Sequence, residues 1–201
     1  MRIRTLGRVA YEPTWRAMQE LTRRRDAQAP DELWLLEHPP VYTLGLAGRR
    51  EHVLAPGAIP VVASDRGGQV TYHGPGQAVA YAMLDLRRRG LGVKELVRRL
   101  EQAAIDVLAA YGIAGERRAG MPGVYIGAAK IAAVGLRVAR GCSYHGLALN
   151  ADLDLEPFSR IDPCGYPGLA CTRLADHGVR DSIDAVQQKL SESLERCLTT
   201  T

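Results

Sequence analysis

Residues 66–77 read RGGQVTYHGPGQ, and the rest of the chain is organised around this stretch. Gly67-Gly68 and Gly74-Pro75-Gly76 allow turns and close backbone approach at its two ends, while the β-branched and aromatic residues 70–72 favour a short strand between them. The same glycine pattern would also fit an alternative without a binding function, a pair of β-turns that carries a solvated histidine. A hairpin rarely needs Arg, Gln, Thr, Tyr and His together, however, and function concentrates in loops held by rigid strands. The stretch is therefore predicted to line a substrate site.

Apolar runs on both sides of this stretch predict strands. Residues 33–38 (LWLLEH) read as a strand buried on both faces, which Pro39-Pro40 interrupts before residues 41–43 resume it. Residues 59–63 lead into the glycine-rich stretch, and residues 79–86 (VAYAMLDL) leave it. Further strands are predicted at residues 3–9, 124–126, 131–139 and 143–150.

Three segments carry apolar residues at helical spacing. The first begins at Pro13, the second runs over residues 93–111 and stops at Gly112, and the third starts near residue 181. Strands that outnumber three helices predict an α/β (α+β) fold. Because the chain has 201 residues and neither linker nor repeat, residues 1–201 are expected to form a single domain.

The composition is that of a globular protein, with 46% hydrophobic residues, 24% charged residues and a net charge of +4. The chain opens Met1-Arg2-Ile3-Arg4 without an apolar signal region, and no apolar run reaches bilayer length. We therefore expect a cytoplasmic protein whose four cysteines are free thiols and which binds neither membrane nor nucleic acid. The positive charge would tolerate an acidic partner. Residues 66–77 match neither a Walker A loop nor a dinucleotide-binding turn, so no nucleotide is indicated.

The four cysteines differ in their surroundings. Cys197 lies on the apolar stripe of the last helix and Cys171 in an apolar segment, so both are expected in the core, while Cys142 follows a turn glycine and fits either role. Cys164 stands between a proline and a glycine, which places its thiol on a sharply turned loop. A nucleophile needs its sulfur presented in this way, with the backbone shaped around an incoming carbonyl.

A cysteine nucleophile needs a nearby cation or a histidine base to become a thiolate at neutral pH. Lys130 begins the otherwise apolar strand 131–139, an unusual place for a solvated lysine, and is a candidate charge partner. A lysine that simply faces solvent at a strand end would occupy the same position. The candidate histidine bases are His38, His52, His73, His145 and His177.

Two other cysteine sites have less support from the spacing. Cys142 and His145 with Cys164, Cys171 or His177 would make a zinc site, but no second close pair has finger-like spacing. A papain-like hydrolase also pairs a cysteine with a remote histidine, but its local cysteine signature is absent and the glycine-rich stretch would stay unexplained. No metal and no cofactor is therefore expected.

Five separated motifs follow one another between about residues 33 and 168. They are EHPP at 37–40 with Thr43-x-Gly45, RGGQVTYHGPGQ at 66–77, PGVY at 122–125 with Lys130-Ile131, SYHGLALN at 143–150 and DPCG at 162–165. Together they resemble the lipoate-biosynthesis octanoyltransferases, the octanoyl-[acyl-carrier-protein]:protein N-octanoyltransferases. One departure is Leu44, where many relatives carry glutamine, and this position bears on the fit of the acyl chain.

The resemblance implies a fold and a site. The fold is an α/β domain related to the catalytic domain of biotin and lipoate protein ligases. In that family the cysteine matching Cys164 takes the acyl chain as a thioester, and the lysine matching Lys130 stabilises its thiolate. The implied acyl-binding residues are Arg66, Gly67, Gly68, Gln69, Val70, Thr71, Tyr72, His73, Ala133, Val134, Gly135, Gly146, Leu147 and Ala148.

The implied reaction moves an octanoyl or lipoyl group from acyl carrier protein to a lysine of lipoyl domains, in 2-oxo acid dehydrogenase and glycine cleavage proteins. Exchange between thioesters is nearly thermoneutral and needs no ATP, and a covalent intermediate lets the two partner proteins dock in turn. His73 and His145 are candidates for shuttling the proton of the amine. Histidines that only make structural hydrogen bonds would fit the same positions in the sequence.

Two other functions fit parts of the pattern. An ATP-dependent lipoate or biotin protein ligase of the same fold would use the lysine to bind an adenylate and needs no nucleophilic cysteine, so Cys164 argues against it. A non-catalytic acyl-binding protein would need neither Cys164 nor Lys130.

Overall fold

The structure is a computed structural model that describes residues 1–199. Within these residues the strands are β1 (Arg2–Arg8), β2 (Glu32–Glu37), β3 (Val41–Leu44), β4 (Val61–Ala63), β5 (Val70–His73), β6 (Gln77–Met83), β7 (Glu116–Arg118), β8 (Met121–Ile126), β9 (Ala129–Ala139) and β10 (Cys142–Asn150). The helices are α1 (Tyr11–Arg24), α2 (Val93–Ala110) and α3 (Ile183–Thr199). Seven strands form a mixed sheet in the order β1-β2-β6-β10-β9-β8-β7, and three form a second sheet in the order β4-β3-β5. The predicted α/β class is confirmed.

The centre of the large sheet is buried on both faces because helices cover each of them. On one side α2 and α3 share a core with Leu33 and Leu35 of β2. On the other side α1 packs with Trp34 and Leu36. Since alternate residues of a strand point to opposite faces, consecutive apolar residues of β2 fill both cores. This is why β2 reads as a continuous apolar run rather than an alternating one.

The helices begin and end close to the predicted residues. α1 begins at Tyr11, and Pro13 lies in its first turn, where a missing N–H breaks no helical hydrogen bond. α2 ends at Ala110, and Gly112 follows it with a φ of 73°, so the predicted glycine stop is present. Within residues 1–199, none of the helices combines the length and the apolar character needed to span a bilayer.

The prediction that residues 41–43 resume β2 is wrong, because β3 belongs to the second sheet. Pro39-Pro40 has no N–H to offer the ladder, and the chain leaves the large sheet at this point. β3 instead pairs antiparallel with β5 and parallel with β4. The second sheet has its own core, which includes Tyr42, Tyr72 and Phe158.

Strand bounds differ from the prediction at other places in the large sheet. β6 begins at Gln77 and ends at Met83, earlier at both ends than the predicted residues 79–86. β7 was not predicted because its sequence, Glu-Arg-Arg, has no strand character of its own. It forms only by pairing with β8.

The glycine-rich stretch joins the two sheets. Its residues 70–73 form β5, and the turn that precedes β5 packs against the large sheet. The Gly67 N–H donates to the carbonyl of Leu136 on β9 (2.8 Å). β9 pairs with β10 over most of its length, so the turn lies across these two strands. The space between the turn and the strands is the cavity of the candidate site.

Candidate active site

Cys164 lies on a 3₁₀ turn, Pro163–Gly165. Its backbone is left-handed, with φ 58° and ψ 16°, a conformation that costs an ordinary residue about 1–2 kcal/mol. Gly165 follows in a second left-handed conformation, with φ 75°. The predicted sharp turn at the cysteine is therefore present. Backbone strain at a non-glycine residue is typical of functional sites.

The loop that follows β3 is hydrogen-bonded to the residues just before this turn. Val53 forms an isolated β-bridge with Ile161, and the Asp162 N–H donates to the carbonyl of His52 (2.9 Å). The Nδ1 of His52 also lies 3.2 Å from Oδ2 of Asp162. A paired segment thus fixes the backbone immediately before Cys164.

Lys130, the second residue of β9, reaches the thiol. Its Nζ lies 3.0 Å from the Sγ of Cys164 and donates to the carbonyl of Pro122 (2.7 Å). Lys130 is only 5% exposed, so it is not a solvent-facing strand end. Burial opposes its charge, but the neighbouring Cys164 and Tyr125 outweigh burial and raise the pKa of Lys130 above its ordinary value. The ammonium is therefore the stable form and is placed to stabilise a thiolate.

The thiol and the ammonium open into a cavity with about 520 Å³ of empty space, part of it open to solvent. The structure brings together twelve of the fourteen predicted acyl-binding residues along its walls. They are Arg66, Gly68, Gln69, Val70, Thr71, His73, Ala133, Val134, Gly135, Gly146, Leu147 and Ala148. Eight of these twelve residues are aliphatic or glycine, which suits an alkyl chain.

Gly67 and Tyr72 lie outside this lining. Gly67 contributes its backbone N–H, which donates to the carbonyl of Leu136 on β9. Tyr72 points the other way, into the core of the second sheet, where its ring centroid lies 5.5 Å from that of Tyr42 and 5.6 Å from that of Phe158. The period of two along β5 explains this, because a side chain next to cavity-facing neighbours must face the opposite side.

Three lining residues were not predicted: Tyr11, Val79 and Tyr81. Val79 and Tyr81 lie two apart on β6, so strand alternation places them on one face. That spacing was the available signal. Tyr11 comes from the first turn of α1, far from the motifs in sequence, and nothing local marks it.

Arg66 brings a buried positive charge to the cavity wall. It is 8% exposed and donates to the hydroxyl and carbonyl of Thr43 and to the carbonyls of Gly67 and Gln69 (2.6–3.0 Å). All of these acceptors are neutral. Burial lowers the pKa of Arg66, although Tyr11 and Cys164 oppose this effect. A guanidinium held by neutral oxygens leaves a positive field in the cavity, which favours an anion there.

His73 and His145, the two candidate proton shuttles, both line the cavity. Burial lowers the pKa of His73 to about 3 and also lowers the pKa of His145, where Asp65 opposes the effect. Both rings are therefore neutral at pH 7. The Nδ1 of His73 donates to Oε1 of Gln77 (2.7 Å).

His145 sits at some distance from the thiol end of the cavity. Its Nε2 donates to Oδ1 of Asp65 (2.9 Å), and its Nδ1 has no protein partner within the described residues. It pairs with Leu136 on β9, six residues beyond Lys130, a backbone separation of about 20 Å at 3.3 Å per residue. Proton transfer by either histidine stays a prediction.

In the remaining cysteines burial outweighs the nearby cations and raises the pKa of the thiol. Cys171 forms a β-bridge with Lys130 through the backbone, but burial and the neighbouring Cys164 raise its pKa to about 12. Burial also raises the pKa of Cys142 and of Cys197. These thiols stay protonated at neutral pH. Within residues 1–199, no group of three or more His, Cys, Asp or Glu side chains is arranged to hold a metal ion.

Comparison with known proteins gives a consistent result. The family model described as "Lipoyl protein ligase A/B catalytic domain" matches residues 10–195. The chain is similar to an octanoyltransferase of Thiobacillus denitrificans, with 63% identity over 98% of this chain and 90% of the relative. Its fold is similar to that of the bipartite lipoate protein ligase of Thermoplasma acidophilum, with a TM-score of 0.77, 17% identity and coverage of 98% of this chain and 83% of the other.

A second solved structure extends the fold comparison. The biotin protein ligase of Aquifex aeolicus in complex with biotin and ATP superimposes with a TM-score of 0.60 and 13% identity, over 98% of this chain and 70% of the other. The expectation of a fold related to the biotin and lipoate ligase catalytic domains is therefore confirmed.

Proposed function

The chain belongs to the lipoyl protein ligase A/B catalytic-domain family, and from this premise we propose that it is an octanoyltransferase that carries the acyl group as a thioester on Cys164. The observation that carries the proposal is the Nζ of Lys130 at 3.0 Å from the Cys164 Sγ. The adjoining cavity, with its mostly apolar walls, is the binding site for the acyl chain.

The donor is octanoyl-acyl carrier protein. The acceptor is a lysine of lipoyl domains in 2-oxo acid dehydrogenase and glycine cleavage proteins, and the process is protein lipoylation. Residues 1–201 act as one acyltransferase domain. Its compartment is the cytoplasm, a location supported by the four free cysteines.

In the first half-reaction the Cys164 thiolate attacks the carbonyl carbon of the donor thioester. The C–S bond to the carrier's prosthetic thiol then breaks, and the carrier thiolate leaves with the electron pair and takes up a proton. One thioester replaces another, so no ATP is consumed. The Lys130 ammonium stabilises the attacking thiolate and then the oxyanion of the tetrahedral intermediate, and the buried charge of Arg66 adds to the same positive field.

In the second half-reaction the neutral amine of the acceptor lysine attacks the Cys164 thioester. The C–S bond breaks, an amide forms, the amine loses one proton, and Cys164 returns to the thiolate beside Lys130. Formation of the amide makes this step favourable. Splitting the transfer in two lets each large partner dock alone, which is ping-pong behaviour.

Intact-protein mass spectrometry tests this proposal. The protein is incubated with octanoyl-acyl carrier protein alone, without nucleotide or acceptor. We expect a gain of one octanoyl mass that maps to Cys164, is released by hydroxylamine, and is discharged onto an added lipoyl domain. Cys164→Ser loses most of the adduct because a hydroxyl lacks an accessible anionic form at neutral pH. Cys197→Ser, a thiol on α3 outside the cavity lining, is the matched control and keeps it.

Two results would contradict the assignment. An adduct that forms only with ATP indicates a ligase, since a ligase must first make an adenylate. Acyl chain retained without a covalent bond indicates a binding protein.

A further inference from the structure

A buried carboxylate on α2 points towards the lysine of the active site. Glu101 is 6% exposed, although α2 packs its apolar face on the large sheet. Its Oε1 accepts the N–H of Gly123 (2.8 Å), and its Oε2 lies 3.2 Å from Nε of Arg117 on β7. A carboxylate in such a place is costly unless it is bonded, and both oxygens have partners.

The peptide unit between Pro122 and Gly123 connects this carboxylate to Lys130. The N–H of Gly123 donates to Glu101, and the carbonyl of Pro122, at the other end of the same peptide bond, accepts from the Nζ of Lys130 (2.7 Å). The peptide is planar and carries a dipole that a negative charge at the N–H end reinforces. The carboxylate thus strengthens the acceptor that holds the ammonium.

Gly123 shows how closely Lys130 lies on this peptide. The glycine has a φ of 127°, which side-chain-bearing residues rarely adopt. A Cβ atom at this position would lie 2.5 Å from Cε of Lys130 and 2.4 Å from the carbonyl oxygen of Ala132. The lysine side chain therefore passes directly over the peptide, and its position depends on the orientation of that peptide.

We propose that Glu101 is a positioning residue for Lys130: it orients and polarises the Pro122–Gly123 peptide, and thereby fixes the ammonium 3.0 Å from the Cys164 thiol. The inference rests on the proposed function. Glu101 touches neither the thiol nor the acyl site and acts only through the peptide.

The charged and titratable groups of Glu101, Lys130 and their neighbours come from several elements. Cys164 on its turn and Tyr125 on β8 face Lys130, with the ring centroid of Tyr125 5.3 Å from Nζ. Arg117 on β7 faces Glu101 and partly neutralises it. A purely structural role for Glu101 would be to tie α2 to β7 through Arg117, and the experiment has to separate the two roles.

The test uses Glu101→Gln, which keeps an oxygen acceptor for Gly123 and removes the charge. The rate of Cys164 acylation by octanoyl-acyl carrier protein is measured in a single turnover. We expect a fall of roughly tenfold or more, the usual effect of removing an outer partner of a reactive group. Glu95→Gln is the matched control, because it removes the same charge from the exposed start of the same helix, where Glu95 pairs with Arg99 (3.1 Å); its rate should match the wild type.

A second readout does not depend on acyl transfer. The chain has three lysines, Lys94, Lys130 and Lys189, so side-chain nitrogen NMR of lysine-labelled protein gives three signals. In Glu101→Gln the pH midpoint of Lys130 moves down, because the Pro122 carbonyl is no longer polarised by a charge and becomes a weaker acceptor for the ammonium, while the other two midpoints stay. A merely structural substitution would slow acylation without moving this midpoint.

Arg117→Gln makes the opposite change, and it tests the inference even if the Glu101→Gln protein does not fold. It frees the charge of Glu101, so the Lys130 midpoint should move up and most of the acylation rate should remain. The inference is overturned if the Lys130 midpoint is unchanged in Glu101→Gln, or if it falls in Arg117→Gln. Failure of the wild type to be acylated would instead overturn the proposed function, and the NMR result would still stand.

Discussion

A thiol beside a buried ammonium is a different nucleophile from a thiol in water. Cys164 combines a left-handed backbone, which presents the sulfur, with the Nζ of Lys130 at 3.0 Å, which supplies the charge. Water cannot screen this pair well because Lys130 is 5% exposed. The proposed reactivity of the thiol therefore depends mainly on the Lys130 side chain.

Lys130→Ala tests that dependence. Acylation of Cys164 should slow by about 100-fold, the usual effect of removing one charged stabiliser of an oxyanion. Alkylation by iodoacetamide should also slow at pH 7, because the ammonium 3.0 Å from the sulfur is gone. Both rates are compared with those of Lys94→Ala, in which the exposed lysine at the start of α2 is removed. Equal alkylation profiles in the two variants would remove Lys130 from the mechanism.

The buried histidines make stability depend on pH. Burial lowers the pKa of His38 to about 4 and that of His73 to about 3, from an ordinary 6.5. Below pH 6.5 the unfolded chain takes up protons on these rings and the folded protein does not. The stabilisation is therefore full above pH 6.5 and is lost as the pH falls, by about 1.4 kcal/mol per pH unit for each ring.

Urea unfolding at pH 7, 6 and 5 measures this loss, in a range above the titration of most carboxylates. His73→Asn keeps a donor towards Gln77 and removes one titrating group. Its free energy of unfolding should fall less steeply with pH than that of the wild type. Parallel slopes would mean that His73 takes up its proton in the folded protein as readily as in the unfolded chain.

At the scale of elements, β9 and β10 set the shape of the acyl cavity. Ala133 of β9 pairs with Ala148 of β10, and Gly135 pairs with Gly146. All four are small, and all four line the cavity. Because side chains on neighbouring strands lie side by side, small residues at two successive pairs leave a channel over the sheet. Under the proposed function, these two strands set the length of acyl chain that the cavity accepts.

Ala133→Leu should shorten this channel. Ala133 is half-buried and faces the cavity, so the larger side chain extends into empty space rather than into the core. We expect acylation by octanoyl donors to fall by about tenfold or more relative to butanoyl donors, since a clash with several methylenes exceeds the 1–3 kcal/mol that one methylene contributes. Alkylation of Cys164 by iodoacetamide should be kept. Equal loss with both donors and with iodoacetamide would indicate a folding defect.

At the scale of the whole molecule, net charge affects the rate at which the protein encounters its proposed donor. The chain carries a net charge of +4, which would attract an acidic carrier protein. Opposite charges raise the rate of encounter between two proteins, and salt screens this effect. A small thioester donor has no such dependence.

Steady-state kinetics at increasing salt separates the two kinds of donor. Between about 0.05 and 0.5 M salt, kcat/KM with octanoyl-acyl carrier protein should fall by about tenfold, within the range known for electrostatic steering. With a neutral octanoyl thioester of pantetheine it should change little. The same salt dependence for both donors would place the effect in the active site and not in docking.

Local sequence determined most of the elements and the turn that presents the Cys164 thiol. The continuous apolar run of β2, the stripe of α2 and the turn at Cys164 could all be predicted, because backbone preference and burial pattern are set within a few residues. The family motifs then indicated most of the cavity wall. Tyr72 lies outside the lining because a motif does not say which way a side chain points, and Gly67 contributes its backbone N–H instead.

Only the tertiary structure decided how distant residues meet. It placed β3 in the second sheet, brought Tyr11 into the cavity, and set the Nζ of Lys130 on the thiol of a residue 34 positions away. Glu101 has no signal in the sequence, since a glutamate on a helix normally faces water. Such contacts depend on how helices and sheets pack against one another, and a distance between packed elements is not encoded in any single segment of the chain.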